Sequence, residues 1–194
     1  MRAAALALLV GLLASCAHYT GQARPLASSK LPDDEGWIRA APTPTVLQRD
    51  YADCGAAALA MVAGRWHVDL SLDDAARALP RSEASGVRLG DLREVARARG
   101  LVAYVIEGNA TILTHELGAG RPVIVGLLRP YGDNRGVNHY EVVVAIRQPV
   151  DAEGEVVTID PASGWQVRPW AAFASEWQTA GSPTLVVVGA AHER

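Results

Sequence analysis

The chain has 194 residues, of which 49% are hydrophobic and 20% are charged, and its formal net charge at pH 7 is −3. This length and composition predict one globular domain with a sizeable core. The slightly acidic balance and the lack of a basic run argue against nucleic acid and against an anionic membrane surface as the main partner.

The first sixteen residues have the pattern of an export signal. Arg2 supplies a positive start, and residues 3–14 are continuously apolar but too few for a spanning helix, which needs about 20 residues. The tetrapeptide Leu13-Ala14-Ser15-Cys16 resembles the lipobox of bacterial lipoproteins. The resemblance implies that residues 1–15 are a signal peptide and that Cys16 is lipidated as the new N-terminus. An ordinary cleaved signal peptide is the alternative.

This signal sequence predicts a protein of the bacterial cell envelope that is held there by a lipid anchor on Cys16. The residue after this cysteine is Ala17 and not an aspartate. This resembles the pattern of lipoproteins that are sorted to the outer membrane, so we expect the protein to face the periplasm. Residues 16–45 are rich in Pro, Ser, Ala and Gly without periodicity and predict a flexible tether. Residues 46–194 are then the folded domain.

A thiol opens an almost wholly apolar helix in the segment 48–62. Cys54 follows the turn-forming Asp53 and precedes Gly55 and three alanines, so the predicted helix lies inside the fold. The first turn of a helix favours a thiolate because its N–H groups and the helix dipole stabilise negative charge. Gln48, six residues upstream, is the candidate donor to a developing oxyanion. A small buried hydrophobe is the alternative interpretation of the cysteine.

The cysteine count favours a functional role for Cys54. The chain has two cysteines, Cys16 and Cys54. If the first is acylated, the second has no intramolecular partner in an oxidising compartment. An exported unpaired thiol is a liability unless it is buried or needed.

Helical patterns come first along the rest of the chain, and strand patterns follow. Ser71 predicts the N-cap of a second helix that Pro80 ends, with Asp74 three residues after the cap. The later elements are a helix from Leu89 to Gly100, a strand at 101–106, and a short helix through Leu117 with Asn109 or Thr111 as its cap. They continue with strands at 123–128, 139–146 and 156–159, a short strand at Val167, a helix at 169–177 and a strand at 185–188. Helices followed by strands predict an α+β fold with segregated layers.

His139 is the histidine best placed to act as a base. It directly precedes the apolar strand 140–146 and follows the polar segment 129–138, which is predicted to be a loop. A histidine at the start of a strand, next to a long polar loop, is placed to face a cleft. A purely structural histidine is the alternative. The other four lie in the tether, after the cysteine helix, on a short exposed helix and in the tail; they are His18, His67, His115 and His192.

Asp160 is the candidate partner of His139, because it ends a strand that can pair as a hairpin with the histidine's strand. A carboxylate that accepts from one imidazole nitrogen fixes the tautomer and leaves the other nitrogen for the thiol. Glu141 lies two residues after His139 on the same side of the strand and is the rival orienting acid. Asp133, in the middle of the predicted loop, is a weaker candidate.

These motifs together resemble the double-glycine leader peptidases, papain-like cysteine peptidases best known as the bacteriocin-processing domain of peptide exporters. The resemblance covers about residues 46–188 and is carried by the segment 48–62, by His139-Tyr140-Glu141-Val142-Val143-Val144, and by Ile159-Asp160-Pro161-Ala162-Ser163-Gly164 with Phe173 and Trp177 beyond it. It implies a papain-like α+β fold, with N-terminal helices packed on a C-terminal antiparallel sheet and a cleft between them. It implies Cys54 as nucleophile, His139 as base, Asp160 as orienting acid and Gln48 as oxyanion donor.

The resemblance further implies hydrolysis of peptide or protein substrates without a metal or organic cofactor. A preference for Gly-Gly or Gly-Ala before the cut bond is an inherited expectation. The chain has no transporter segment and no Gly-x-x-x-x-Gly-Lys phosphate loop, so we expect a free-standing peptidase that uses no ATP. Its export signal also predicts a location outside the cytoplasm, whereas exporter-linked peptidases cut leaders on the cytoplasmic side.

Three other functions remain open at this point. A domain of the same fold can grip a peptide without cutting it, and a thiol enzyme can pass the acyl group to an amine instead of water. A zinc site built from Cys54, His139 and Asp160 is a weaker hypothesis, because the chain lacks paired Cys or His spacing.

Overall fold

The structure, a computed structural model, describes residues 18–27, 36–80, 86–132, 135–147 and 154–190. The predicted signal peptide, the lipidation candidate Cys16, the loop acid Asp133 and the tail residue His192 lie outside the described residues. Of the helices in the described ranges, none is long and apolar enough to cross a membrane.

Five α-helices are present in the described part of the chain, close to their predicted positions. They are α1 (Cys54–Arg65), α2 (Leu72–Ala78), α3 (Leu89–Ala98), α4 (Ala110–Gly118) and α5 (Trp170–Thr179). α1 is buried along most of its length because its alanines and large apolar residues leave no polar face. Ser71 caps α2 by accepting a hydrogen bond from the Asp74 N–H at 3.1 Å, and Asn109 caps α4 by accepting from the Ile112 N–H at 3.0 Å.

Eight strands form one antiparallel sheet within the described residues. They are β1 (Arg24–Pro25), β2 (Trp37–Arg39), β3 (Leu101–Glu107), β4 (Val123–Tyr131), β5 (Arg135–Arg147), β6 (Glu155–Asp160), β7 (Gly164–Pro169) and β8 (Pro183–Ala190). The order across the sheet is β1-β7-β6-β5-β4-β8-β3, and β2 pairs with β5 off this path.

The sheet carries a hydrophobic core on each face. Helices α1, α2 and α3 pack with Ile124 and Val142 on one face, and α4 and α5 pack with Val123 and Val125 on the other. Neighbouring strand residues point to opposite faces, so one run of branched apolar residues serves both cores. The predicted α+β class, with N-terminal helices on an antiparallel sheet, is confirmed. The sequence did not predict that α4 and α5 would cover the second face of the sheet.

The predicted hairpin between the histidine strand and the aspartate strand is present. β5 and β6 pair antiparallel, with Val142 opposite Ile159 and Val143 opposite Thr158. This register brings the start of the apolar part of β5 and the end of β6 to the same end of the sheet.

Two short stretches of the predicted flexible tether at 16–45 are paired with the sheet. Arg24 lies opposite Val167 in the pairing of β1 with β7, and Trp37 lies opposite Arg147 in the pairing of β2 with β5. Leu26 and Trp37 also pack against the first core. The tether prediction is wrong for these stretches, because strands of two or three residues are too short to show a periodicity in the sequence.

The predicted loop at 129–138 is mostly strand. β4 continues to Tyr131 and β5 begins at Arg135, with Arg129 opposite Val137. The loop prediction fails because the polar residues here resemble a solvated connection, whereas Arg129 is only 5% exposed and has charged partners far away in the sequence.

Candidate active site

Cys54 is the first residue of α1 and follows a 3-10 turn at Tyr51–Asp53. The next residue, Gly55, is buried, and a Cβ placed on it would lie 3.2 Å from the Tyr140 ring. The helix start therefore lies directly against β5. Such a contact brings the thiol to the strand that carries His139.

His139 and Asp160 form a short buried hydrogen bond. The imidazole Nε2 lies 2.6 Å from Asp160 Oδ1, and both side chains are less than a tenth exposed. The Cys54 thiol lies beside the same imidazole, because both residues line one cleft and each shifts the pKa of the other. Since Nε2 already faces the carboxylate, Nδ1 is the ring nitrogen left for sulfur. Thiol, imidazole and carboxylate thus stand in one row.

The environment favours the charged forms of Cys54 and His139. Burial raises the pKa of the Cys54 thiol, but the hydrogen bond and positive charge of His139 outweigh burial, so the pKa lies below its ordinary value. Burial lowers the pKa of His139, yet its bonds to Asp160 and Cys54 and the charge of Glu141 raise it to about 9. The two shifts together stabilise a thiolate–imidazolium pair.

Asp160 is held on both carboxylate oxygens. Oδ1 accepts from His139 and from the Ala162 N–H at 2.8 Å, and Oδ2 accepts from Arg129 Nη1 at 2.9 Å and from Ser163 Oγ at 2.5 Å. Burial raises the pKa of this carboxyl, but its bonds to His139 and Ser163 and the positive charges of His139 and Arg129 hold it well below its ordinary value. Asp160 is therefore ionised and cannot rotate freely.

Glu141, the rival orienting acid, is not hydrogen-bonded to His139 in the described structure. Its Oε2 accepts from Thr158 Oγ1 at 2.6 Å and from Arg168 Nη2. Its Oε1 lies 3.7 Å from Arg129 Nη1. Glu141 thus acts on the imidazole only through its charge, and the geometry selects Asp160 as the partner of His139.

Gln48 lies on a loop that is tied to the turn after Asp160. Its backbone N–H donates to the Pro161 carbonyl at 2.8 Å. Its side chain is partly buried, and Oε1 has no hydrogen-bond partner within the described part of the chain. No hydrogen bond to this oxygen therefore fixes the orientation of the Gln48 side-chain amide within the described part of the chain.

A cleft of about 670 Å³ opens over Cys54 and His139. Gly55, Leu89, Gly126, Tyr140 and Pro183 are among its lining residues, so the walls are largely apolar or glycine. This volume lies within the range of about 300–1,000 Å³ that is typical of binding sites. The Cys54 sulfur therefore faces a groove rather than a closed core.

The remaining described histidines lie away from this row of groups. His18 and His67 are exposed, and His115 on α4 contacts the Glu116 carboxylate at 2.9 Å. The zinc hypothesis fits the donor groups poorly. Although ligand atoms of His139, Glu141 and Asp160 lie within 4.8 Å of one another, guanidinium groups already bind both carboxylates, which disfavours a further cation there.

Sequence reasoning missed three charged residues behind Asp160, namely Arg129, Arg168 and Glu176. Arg168 is fully buried and donates to Glu141 and to Glu176, the latter at 2.8 Å. A signal was available in Glu141, because a carboxylate inside an apolar strand requires a buried cationic partner. Which arginine supplies it depends on strand register.

The comparison with known families agrees with this geometry. The sequence profile of the Peptidase C39 family matches residues 42–182. The chain belongs to the Peptidase C39 family. It is therefore a cysteine peptidase, and the resemblance to the double-glycine leader peptidases is confirmed.

Solved structures similar to this C39 peptidase are themselves peptidase domains. A double glycine motif protease from an AMS/PCAT transporter, in complex with the leader peptide, has 21% identity and a TM-score of 0.58 over 77% of this chain and 93% of that one. The peptidase domain of Streptococcus ComA, a bi-functional ABC transporter involved in a quorum sensing pathway, has 23% identity and a TM-score of 0.57 over 74% and 96%. The Streptococcus mutans ComA peptidase domain has 21% identity and a TM-score of 0.51 over 74% and 98%. At these identities the likeness shows the papain-like fold. Comparison with curated proteins gave no match.

Proposed function

We propose that this C39 peptidase hydrolyses peptide bonds through a triad of Cys54, His139 and Asp160, with Gln48 as an oxyanion donor. The observation that carries the proposal is the buried hydrogen bond between His139 and Asp160 next to the Cys54 thiol, with Cys54 and His139 lining one cleft. A nucleophile, a base and a group that orients the base are the parts required for covalent catalysis.

In the proposed mechanism the Cys54 thiolate attacks the carbonyl carbon of the peptide. The Cys54 N–H and the Gln48 side-chain amide donate to the oxyanion, and each such donor contributes roughly 3–4 kcal/mol in comparable sites. The His139 imidazolium gives its proton to the leaving amine, and the C–N bond breaks to leave a thioester. His139 then takes a proton from water, whose oxygen attacks the thioester and releases acid and thiolate.

We further propose that the residues before the cut bond are small, as in Gly-Gly or Gly-Ala. A Cβ on Gly126 would stand 2.9 Å from Pro183 Cγ and 3.3 Å from the Tyr140 ring, so these cleft walls are closely packed beside the sulfur. Narrow walls of this kind favour substrates without bulky side chains. One neighbour in fold is itself a double glycine motif protease bound to a leader peptide.

The test uses three peptides that are identical except for a central Gly-Gly, Gly-Ala or Leu-Leu pair. We expect cleavage after the first two pairs and a rate at least about tenfold lower for Leu-Leu, detected by mass spectrometry. A Cys54→Ala variant is expected to fold and bind the peptides without cleaving them. Cleavage by that variant would overturn the proposal.

Two outcomes of the same assay would favour the other functions that the fold permits. Binding of the peptides by the wild-type protein without any cleavage would indicate a peptide-binding module. With an added primary amine, an acylated amine as the main product would indicate an acyl transferase, because the thioester then passes to nitrogen instead of water.

We also propose that Cys16 is lipidated and anchors the protein in the cell envelope, in the outer membrane facing the periplasm. The support is the tetrapeptide that ends at Cys16. Tyr19, three residues later, is bridged to Tyr131 of the sheet, so such an anchor would hold the domain within ~10 Å of the bilayer. We expect the full chain to partition into detergent from bacterial envelopes and a Cys16→Ser variant to stay in the aqueous phase. Equal partitioning of the two would exclude the anchor.

A further inference from the structure

Arg129 is a buried cation that touches the partner of the catalytic base. It lies on β4, and its Nη1 donates to Asp160 Oδ2 at 2.9 Å, while Asp160 Oδ1 faces His139. The guanidinium and the imidazole thus bind opposite oxygens of one carboxylate. A carboxylate held in this way has a defined orientation.

Arg129 is the second link in a buried row of alternating charges. Its Nη1 lies 3.7 Å from Glu141 Oε1, Glu141 accepts from Arg168, and Arg168 donates to Glu176 at 2.8 Å. All four side chains are less than a tenth exposed. Because an unpaired buried charge costs several kcal/mol, each member holds its neighbours in place.

Tyr19, in the N-terminal segment, contacts both Arg129 and Glu176, the first and last of these four charged side chains. The Arg129 guanidinium lies 4.1 Å from the centre of the Tyr19 ring, and the Tyr19 hydroxyl donates to Glu176 Oε1 at 2.6 Å. Backbone bonds hold Tyr19 there, from the Thr20 N–H to the Pro130 carbonyl at 3.0 Å and from the Gly132 N–H to the His18 carbonyl at 3.1 Å. Tyr19 lies outside residues 42–182, which the family profile matches.

We propose that Arg129 is a positioning residue that fixes Asp160 for His139, and that the Tyr19 ring keeps water from the Arg129 guanidinium. This inference rests on the proposed triad. Loss of the guanidinium removes a positive charge from the site and frees Asp160 to rotate away from the imidazole. Both effects disfavour the thiolate, so Cys54 should ionise at a higher pH.

Several other charged or titratable groups face Arg129 and Asp160. Around Arg129 and Asp160 lie His139 and Glu141 of β5, Arg168 of β7, Glu176 of α5, and the tyrosines Tyr19 and Tyr131. Arg129 differs from these groups because it both contacts Asp160 and carries a charge that does not change below pH 12. Replacing it therefore changes a constant charge rather than adding another titration.

The test measures the rate of Cys54 alkylation by iodoacetamide as a function of pH, with the Cys54 peptide identified by mass spectrometry in the full chain. For Arg129→Gln we expect the midpoint of the rate to rise by roughly half a pH unit or more. Arg129→Lys keeps the charge with fewer donors and should lie between Arg129→Gln and wild type. A reduced kcat with little change in KM should accompany the shift.

Arg147→Gln is the matched control for the loss of an arginine. Arg147 also lies over an aromatic ring, 5.1 Å from the centre of Trp37, and donates to Glu155 at 2.6 Å. It is paired with Glu155 at the start of β6, whereas Asp160 ends that strand. We expect no shift of the alkylation midpoint in this variant. A purely structural role for Arg129 would lower the Tm of Arg129→Gln and leave its alkylation midpoint unchanged, as in Arg147→Gln.

Tyr19 variants keep the inference testable if Arg129→Gln does not fold. Tyr19→Leu should raise the alkylation midpoint by less than Arg129→Gln, while Tyr19→Phe, which retains the ring, should match wild type. A folded Arg129→Gln with wild-type midpoint and kcat overturns the inference, and so does an unchanged midpoint in Tyr19→Leu when Arg129→Gln cannot be obtained. Low-pH alkylation of the wild type without peptide cleavage would instead reject the peptidase mechanism alone.

Discussion

At the scale of single residues, the proposed mechanism depends on the ion pair between Cys54 and His139. The pKa of Cys54 lies below that of a free thiol, since His139 outweighs the effect of burial. The pKa of His139 is raised to about 9, since Asp160, Cys54 and Glu141 outweigh burial. At pH values above the pKa of Cys54 and below the pKa of His139, the thiolate–imidazolium form predominates.

The first prediction concerns the pH dependence of kcat/KM for a cleaved peptide. We expect the rise on the acid side to be complete below the free-thiol pKa of about 8.5, and we expect kcat/KM to decline near pH 9 as His139 loses its proton. Initial rates from pH 5 to 10.5 at fixed ionic strength test this. A rate that keeps rising to pH 10 would show an ordinary, unpaired thiol.

The second prediction concerns Asp160→Asn. The amide keeps the size of the side chain but removes the charge that raises the pKa of His139 and fixes its tautomer. We expect kcat/KM to fall by roughly 10²–10⁴ and its alkaline limb to move to lower pH.

Ser163→Ala is the comparison for that variant, because it removes one hydrogen bond to Asp160 Oδ2 and leaves the charge in place. We expect a much smaller loss of kcat/KM and an unchanged alkaline limb. Wild-type activity in Asp160→Asn would mean that Asp160 does not orient the base.

At the scale of elements, the hairpin of β4 and β5 carries His139 and part of the cleft wall. β5 carries His139 opposite Leu127 of β4, and Tyr140 opposite Gly126. The absence of a side chain at Gly126 lets Pro183 and Tyr140 approach the strand. α1 then meets the same tyrosine through Gly55, which brings the helix N-terminus to the histidine.

The third prediction concerns Gly126→Ala. The new Cβ would meet Pro183 Cγ at 2.9 Å, so a cleft wall must shift. We expect a destabilisation of about 1–3 kcal/mol and a rise in KM larger than the change in kcat, measured by urea unfolding and peptide kinetics.

Gly118→Ala is the matched control on α4, where a Cβ would lie 3.7 Å from Ile38, an ordinary contact. Its KM should equal that of the wild type. A wild-type KM in Gly126→Ala would show that this part of the cleft does not contact the substrate.

At the scale of the whole molecule, the buried charges connect the N-terminal segment, the sheet and α5. Burial raises the pKa values of Asp160 and Glu141, but the neighbouring cations hold both below their ordinary values. A carboxyl with a depressed folded pKa contributes stability above its unfolded pKa and loses it as pH falls through the folded pKa. Glu176 has a raised pKa because of its burial, so its contribution has the opposite sign.

The fourth prediction follows for acid unfolding. We expect the urea midpoint to fall progressively below about pH 4, near the unfolded pKa values of these carboxyls, with the two depressed groups outweighing Glu176. Urea titrations at half-unit steps from pH 6 to 2.5 measure it. The loss should persist in 0.5 M NaCl, because buried pairs are poorly screened. Full rescue by salt would attribute the loss to surface repulsion instead.

The sequence by itself determined the element types, the α+β class and the order of glutamine, cysteine, histidine and aspartate. Local signals suffice for these features. The apolar residues around Cys54 indicate a buried helix, Ser71 indicates a helix cap, and the apolar strands indicate a sheet. Each signal extends over one element and needs no knowledge of its neighbours.

Only the tertiary structure decided which acid faces His139, which arginines neutralise the buried acids and where the N-terminal segment lies. Asp160 and Glu141 were both compatible with the sequence, and the choice follows from the pairing of β5 with β6. Arg129 meets Asp160 across 31 positions, and Tyr19 meets Glu176 across 157. Such partners are set by the register between distant segments, and the pattern of a single segment carries no information about register.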